Sequence, residues 1–288
     1  MKQYNRAVVT DFDGTLYHRE WGVTPEDRET LLDLGNQGIL RCIATGRSHY
    51  ALMRAISPDF PIDYLIFSSG AGIMDFRTGD IVWSTSLSRG ETGELASLFI
   101  ALGYDFMIHL PIPENHRFRY HDSGRDNPDF LRRLSLYADC AVALDPSLPV
   151  PYDGEAAQFL IVEPSDARVH ADLVSRLGNY TVIRTTSPLD KTSVWVEVFP
   201  RTVSKSQCAE RLMRRIGMNG GALPVLALGN DWNDEDLLDW AGTSYIAPGA
   251  PEELAARFPT IPGGPAGFFT RAVRSWLSAG INGRRARP

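Results

Sequence analysis

The first third of the chain alternates short apolar runs with segments whose apolar positions recur at helical spacing. Residues 7–11 (AVVTD) are apolar almost to their end, as expected of a strand buried on both faces of a parallel sheet. Thr24 followed by Pro25 offers an N-cap and a residue suited to the first helical position, and Leu31, Leu32 and Leu34 supply an apolar face. Gly38 stops that helix. Residues 39–44 read as the next strand, 48–56 as a helix and 64–67 as a third strand. The order βαβαβ predicts parallel strands with right-handed crossovers.

The middle follows another rhythm. Residues 72–84 predict a hairpin turning at Thr78-Gly79-Asp80. Helical patterns near 91–102 and 129–137 then alternate with strand-like runs at 104–110, 157–163 and 180–186, and prolines gather at Pro111, Pro113, Pro146, Pro149 and Pro151. After 195–199 the first pattern returns: a helix at 204–216, an apolar strand at 224–228 ending in Gly229, a helix, a strand at 244–247 and an amphipathic helix at 268–277. No fixed-period repeat or low-complexity tract interrupts this. The simplest architecture is α/β, a doubly wound parallel sheet from residues 1–85 and 193–288 interrupted by an α+β insertion at 86–192. Such sheets bind ligands at the carboxyl ends of their strands.

Composition narrows the function. Of 288 residues, 35 are Asp or Glu and 29 are Lys or Arg, a net charge of -6 that leaves no basic excess for coating nucleic acid. No run approaches a membrane span, and the N-terminus has no apolar signal region. Cys42, Cys140 and Cys208 lie too far apart for a CxxC pair, which predicts reduced thiols in a cytoplasmic protein. The basic tail 282–288 is expected to fray.

Three expected strands end in polar clusters. Asp11 and Asp13 stand two apart around a turn that Gly14 permits, so both carboxylates can enter one crevice. Neighbouring carboxylates repel unless a cation or a shared proton relieves them, and that separates their roles into nucleophile and proton carrier. EF-hand spacing is absent. Thr45-Gly46-Arg47-Ser48 brings a hydroxyl, a glycine amide and a helix start together, the makings of an anion site. Gly229-Asn230-Asp231-Trp232-Asn233-Asp234 crowds oxygen donors of the kind that hold magnesium. Lys205, at a helix start, can balance carboxylates and hold a phosphate oxygen. Taken singly, each also reads as an ordinary turn, cap or surface residue.

Together, DFDGT at Asp11, TGR at Thr45, SK at Lys205 and GNDWND at Gly229 resemble the four motifs of the haloacid dehalogenase (HAD) superfamily, in order and spacing. The long insertion resembles the C2-type cap of the Cof-like and sucrose-phosphatase-like subgroup, and Ser68-Ser69-Gly70-Ala71 and Gly263-Gly264-Pro265-Ala266-Gly267 fit that subgroup too. The resemblance implies a Rossmann-like core and a magnesium-dependent phosphatase acting on a small phosphorylated metabolite, foremost a sugar phosphate. Asp11 would carry an aspartyl-phosphate and Asp13 would move the proton. Thr45, Gly46 and Lys205 would hold the phosphoryl group. Magnesium would lie between Asp11, the Asp13 carbonyl and the acidic loop with Asp231 and Asp234. The family has Asp where this chain has Asn230, so either Asn230 ligates or Asp231 takes over, with Asn233 in support. A phosphomannomutase-like activity and a non-catalytic metabolite sensor are the alternatives.

The insertion speaks less clearly. In residues 116–121, Arg117, Arg119 and His121 share one face of an expected strand, opposite His116, Phe118 and Tyr120. Arg117 and Arg119, with Arg47, are candidates for substrate contact. His109, His116 and His121 lack the Cys or carboxylate that would complete a zinc set.

Overall fold

Each apolar run of the first third becomes a strand. The computed structural model describes residues 4–145, 148, 152–164, 168–218 and 224–285. The chain opens with β1 (Ala7–Thr10), α1 (Pro25–Asn36), β2 (Leu40–Ala44), α2 (His49–Met53), β3 (Tyr64–Phe67), β4 (Gly72–Asp75) and β5 (Asp80–Ser84). Next come α3 (Arg89–Ala101), β6 (Phe106–His109), β7 (Phe118–His121), α4 (Pro128–Leu136), β8 (Ala141–Ala143), β9 (Gln158–Glu163), α5 (Arg168–Arg176), β10 (Tyr180–Thr186) and β11 (Val194–Pro200). The chain closes with α6 (Lys205–Arg215), β12 (Val225–Gly229), α7 (Glu235–Trp240), β13 (Thr243–Ile246), α8 (Glu252–Ala255) and α9 (Phe268–Arg285).

These elements form two units, one of residues Met1–Arg47, Ala55–Trp83 and Ser204–Pro288, the other of Ser48–Arg54 and Ser84–Val203. The first carries a seven-stranded sheet in the order β13-β12-β1-β2-β3-β4-β5. It is parallel from β13 to β3, and β4 turns back antiparallel to β3. Ala7, Val9, Cys42, Ala44 and Ala227 pack with Cys208, Ala209 and Leu212 of α6 and Leu237 of α7. On the alternate face α1 and α9 lie together, along β2 and β12 respectively. This is the α/β, doubly wound, Rossmann-like core that the pattern predicts. Local chemistry sets its elements: Thr24 Oγ1 accepts from Asp27 N at 3.1 Å, and Pro25 supplies the preset φ of the first turn.

The second unit carries a six-stranded sheet, β10-β11-β9-β6-β7-β8, antiparallel except for the β7–β8 pair. One face buries Phe106, Phe159 and Val196 with Phe99 of α3 and Leu173 of α5. The other buries Met107, Phe118, Leu160 and Trp195 with Phe130 of α4.

The expected boundaries shift in two places. The chain returns to the first unit at Ser204 rather than at residue 193, because β11 pairs along its length with β10 and with β9. The helix expected at 48–56 is only His49–Met53 and groups with the second unit. Pro58 forces Ser57 out of the helical region soon after it. Pro146, Pro149 and Pro151 lie outside the described residues. Helix α9 runs on to Arg285, so it takes up part of the tail expected to fray, while 286–288 lie outside the described residues. Among the described residues no helix is long and apolar enough to cross a membrane, and all three cysteines are free.

Candidate active site

The carboxyl ends of β1, β2, β3 and β12 bring the polar clusters together. Chain order reverses between β1 and β12, so the crevice for a ligand opens there. Asp11 extends the β1 ladder, its N–H donating to Leu228 O at 2.8 Å, and its side chain is buried. Gly14 then turns the chain at φ +81°, a conformation that penalises any residue with a Cβ. An added Cβ there would stand 2.5 Å from Asn230 Nδ2. Thr15 Oγ1 donates to Asn230 Oδ1 at 3.2 Å, so the DFDGT turn and the loop after β12 close on each other.

Lys205 lies beneath them. Ser204 caps α6 by accepting from Gln207 N at 3.2 Å, which holds Lys205 in the first turn. Its fully buried Nζ donates to Asp11 Oδ1 at 2.8 Å and to Asp234 Oδ1 at 2.5 Å. Asp234 Oδ2 accepts the amides of Asn230 at 2.8 Å and Asp231 at 3.2 Å. One ammonium therefore serves two buried carboxylates. Burial, then the Asp234 charge, push Asp11 up to about 7 against the pull of Lys205. Burial pushes Asp234 up as well. Burial alone would lower Lys205, but Asp11 and Asp234 outweigh it and hold the ammonium above its ordinary value.

Gly70 sets the depth of α6. At φ +109° it brings its Cα against the main-chain carbonyl of Ser204, where a Cβ would collide. Gly70→Ala is expected to cost about 2 kcal/mol or more. A urea midpoint unchanged within error would show that Ser204 can retreat. The two residues before it, Ser68 and Ser69, hold positive φ values of 50° and 54° despite their side chains. Such strain collects at functional sites.

The second cluster is tied to the first. Thr45 Oγ1 accepts from Arg47 N at 3.1 Å, which leaves its hydroxyl hydrogen to donate. A Cβ on Gly46 would stand 3.5 Å from both Asn233 Nδ2 and Ser69 Oγ, so those two groups flank the Thr45-Gly46 turn. Arg47 grips Asp13 at both oxygens, Nε–Oδ2 and Nη2–Oδ1 each 2.6 Å, with its guanidinium over the rings of Phe12 and Tyr17. The spacing of Arg47 and Asp13 in sequence gave no sign of this pair. Ser69 and Thr15, which the sequence offers only inside longer motifs, are further contributors. A signal for Lys205 was available, since the chain has only three lysines and uses Arg almost everywhere else.

The remaining candidates belong to the second unit. Arg117 is exposed and pairs with Glu114 at 3.7 Å. Arg119 opposes Ile108 across β6–β7, on the sheet face covered by α3 and α5. His109 shares the other face with Met107, while His121 contacts Phe106 on the Arg119 side. Hence His121 lies on the opposite face from His109, while His116 stacks on Tyr50 and its charge reaches His109.

The donors at the strand ends suit a hard cation. Among the described residues no three His, Cys, Asp or Glu side chains form a ready-made metal set. Magnesium, however, keeps several waters and needs only one or two carboxylates. Asp11 has Oδ2 beyond the Lys205 contact, and Asp231, Asn230 and the Asp13 carbonyl add oxygen donors with no sulfur or nitrogen competitor. Asp234 instead spends both oxygens on Lys205 and two amides. It orients the loop.

The sequence matches the family model of haloacid dehalogenase-like hydrolases over residues 8–261. The chain belongs to that family. Its HAD relatives include the "Putative phosphatase YxeH" of Bacillus subtilis, 25% identical over 88% of this chain and 92% of that one. Another is a "Putative phosphatase" of Haemophilus influenzae, 25% identical over 89% and 90%. Two solved HAD structures share the fold. One is the phosphatase BT1666 of Bacteroides thetaiotaomicron, with TM-score 0.68, 18% identity and coverage of 88% and 89%. The other is the HAD subclass IIB sugar phosphatase BT4131, with TM-score 0.67, 16% identity and coverage of 96% and 98%.

Proposed function

We propose that this HAD hydrolase is a magnesium-dependent phosphatase of the cytoplasm that acts on a small phosphorylated metabolite, foremost a sugar phosphate. The observation that carries the reading is Asp11 at the end of β1, buried, with one oxygen fixed by Lys205 and the Thr45 turn beside it on the adjacent strand. The phosphatase names of the relatives and the sugar phosphatase of like fold support it, and the three free thiols suit a reducing compartment.

In this reading the free Asp11 oxygen attacks phosphorus and forms an aspartyl-phosphate as the alcohol departs. Asp13 gives the alcohol its proton and takes one back from the water that hydrolyses the intermediate. The Thr45 hydroxyl, the Gly46 amide and Lys205 gather the phosphoryl oxygens, so their charge is met by fixed donors. Arg47 holds Asp13 until substrate arrives and can turn to the phosphate. Asp11, the Asp13 carbonyl, Asp231 and Asn230 would hold magnesium, which neutralises phosphoryl charge when bound.

Phosphate release from a panel of sugar, nucleotide and cofactor phosphates should require magnesium and stop with EDTA. Sugar isomerisation without free phosphate would turn the reading to a mutase, and binding without turnover to a sensor. Asn230→Asp adds a carboxylate to the donor set without losing the acceptor for Thr15. It is expected to tighten magnesium about tenfold, measured by calorimetry with the metal alone. Equal affinity would remove residue 230 from the metal site.

A further inference from the structure

The first turn of α6 is held from outside as well as by its own cap. Ser204 Oγ accepts from Gln207 N, and Cys208 N donates to Ser204 O at 3.0 Å. The Ser206 amide, which has no acceptor within its helix, donates at 3.1 Å to Asp236 Oδ2 on α7. Ser206 Oγ donates to the same oxygen at 2.6 Å. Ser204 Oγ lies 3.2 Å from Ser206 Oγ. A serine hydroxyl has one hydrogen and that of Ser206 is spent on Asp236, so Ser204 is the donor of this pair. The bonds at the start of α6 therefore run one way, from Gln207 through Ser204 and Ser206, and end on one carboxylate oxygen of α7. That carboxylate also meets the positive end of the α6 dipole.

Lys205 stands inside this run of bonds. Its two chain neighbours are both held by it, while its ammonium reaches Asp11 and Asp234. Asp234 lies two residues before Asp236, so two adjacent residues of α6 grip two nearby residues around the start of α7. One such contact would let the helix end pivot about it, and two fix its direction. Gly70 fixes the depth, since the Ser204 carbonyl rests against it. The other acids of α7 past the acidic loop are engaged elsewhere, Glu235 and Asp239 both pairing with Arg257. Ser206 and Asp236 are only partly buried, so water can replace either partner and their bonds add little to stability. What they add is position.

We propose that Asp236 is a positioning residue for phosphoryl transfer. By holding Ser206 it sets where Lys205 Nζ meets Asp11, and so where the free Asp11 oxygen points. Its kinetic consequence rests on the phosphatase reading. Asp236 acts through Ser206 and Lys205 and has no part in the donor sets for phosphate or magnesium. Its oxygen must accept two hydrogen bonds but need not be charged, so asparagine serves there and alanine does not.

The test uses Asp236→Ala, Asp236→Asn, Ser206→Ala and the double variant Ser206→Ala/Asp236→Ala, with p-nitrophenyl phosphate at saturating magnesium. Asp236→Ala is expected to lose about tenfold in kcat while KM holds, because the Thr45 turn still gathers the phosphate. Asp236→Asn should stay close to wild type, and the double variant should be no slower than Asp236→Ala. Full turnover by Asp236→Ala overturns the proposal. So do equal losses in the alanine and asparagine variants, which make charge the cause, and additive losses in the double variant, which separate Asp236 from Ser206.

A second readout needs no substrate. The chain has only Lys2, Lys191 and Lys205, so protein labelled with 13C,15N-lysine gives three side-chain ammonium signals in NMR, and Lys205→Met assigns the buried one. Asp236→Ala should move the Lys205 Nζ signal and Asp236→Asn should leave it in place. A slowed Asp236→Ala enzyme with an unmoved Nζ signal has lost structure elsewhere, and the proposal falls. If wild type releases phosphate from no ester of the panel, the phosphatase reading falls, and the Nζ signal alone decides whether Asp236 positions Lys205.

Discussion

Replacing Lys205 with methionine is expected to cost about 3–5 kcal/mol of stability, because it leaves Asp11 and Asp234 buried with no cation between them. Methionine fills most of the aliphatic stem, so the loss reports charge rather than a cavity. The same change removes a donor to the phosphoryl group, and turnover should fall about a hundredfold or more. Urea unfolding in EDTA measures the first effect, and phosphate release at saturating magnesium the second. The pairing predicts a partial rescue. Adding Asp234→Asn to Lys205→Met should recover stability without activity, since the residual carboxylate pair is then reduced to one. A single variant within 1 kcal/mol of wild type would mean that the carboxylates protonate at no cost, and the buried triad would lose its importance.

How far the sequence reaches can be seen in particular residues. Strands β1, β2, β3 and β12 are legible because both faces are largely buried and their runs are mostly apolar, Arg41 of β2 being the charged exception. Asp11, Thr45 and Asn230 follow from the ends of those strands, where the fold class itself predicts a ligand. The run VWVEVFP at β11 is a different case: its pattern suits a strand in either sheet, and only pairing with β9 and β10 assigns it to the second. Through-space partners are equally opaque. Arg47 meets Asp13 across 34 positions and Lys205 meets Asp234 across 29, distances over which no periodicity carries information. The Asp234 partners are opaque for the same reason, since an acid in an oxygen-rich loop reads as a ligand and its bonds to Lys205 and two amides are visible only in space. His109 reads in sequence only beside other histidines, whereas its neighbours in space include Gln158 of β9, the Phe118 ring and the Asn115 carbonyl.

Asp11→Asn should abolish phosphate release, by about ten-thousandfold or more if the aspartyl-phosphate is obligatory, and should stabilise the metal-free protein. The second expectation follows from the excess of buried negative charge over Lys205. Asp11 has an ordinary value of 3.8 and a folded value of about 7, so the folded state holds its proton more tightly than the unfolded chain does. Its contribution favours folding below about pH 4 and is lost as pH rises towards 7. At about 1.4 kcal/mol per pH unit, the rise from 3.8 to about 7 sets an upper bound of about 4 kcal/mol on the penalty at neutral pH. Asparagine removes the charge but must still satisfy its amide, so a gain of about 1–3 kcal/mol is expected, leaving a matched Lys205–Asp234 pair. Thermal unfolding in EDTA should show the variant's advantage growing from pH 4 to 7 and level above that. Magnesium should narrow the gap, because a bound cation relieves the same charge in wild type. A variant less stable than wild type at pH 7 without metal would mean that Lys205 already neutralises Asp11, and a variant with full turnover would remove Asp11 from the chemistry.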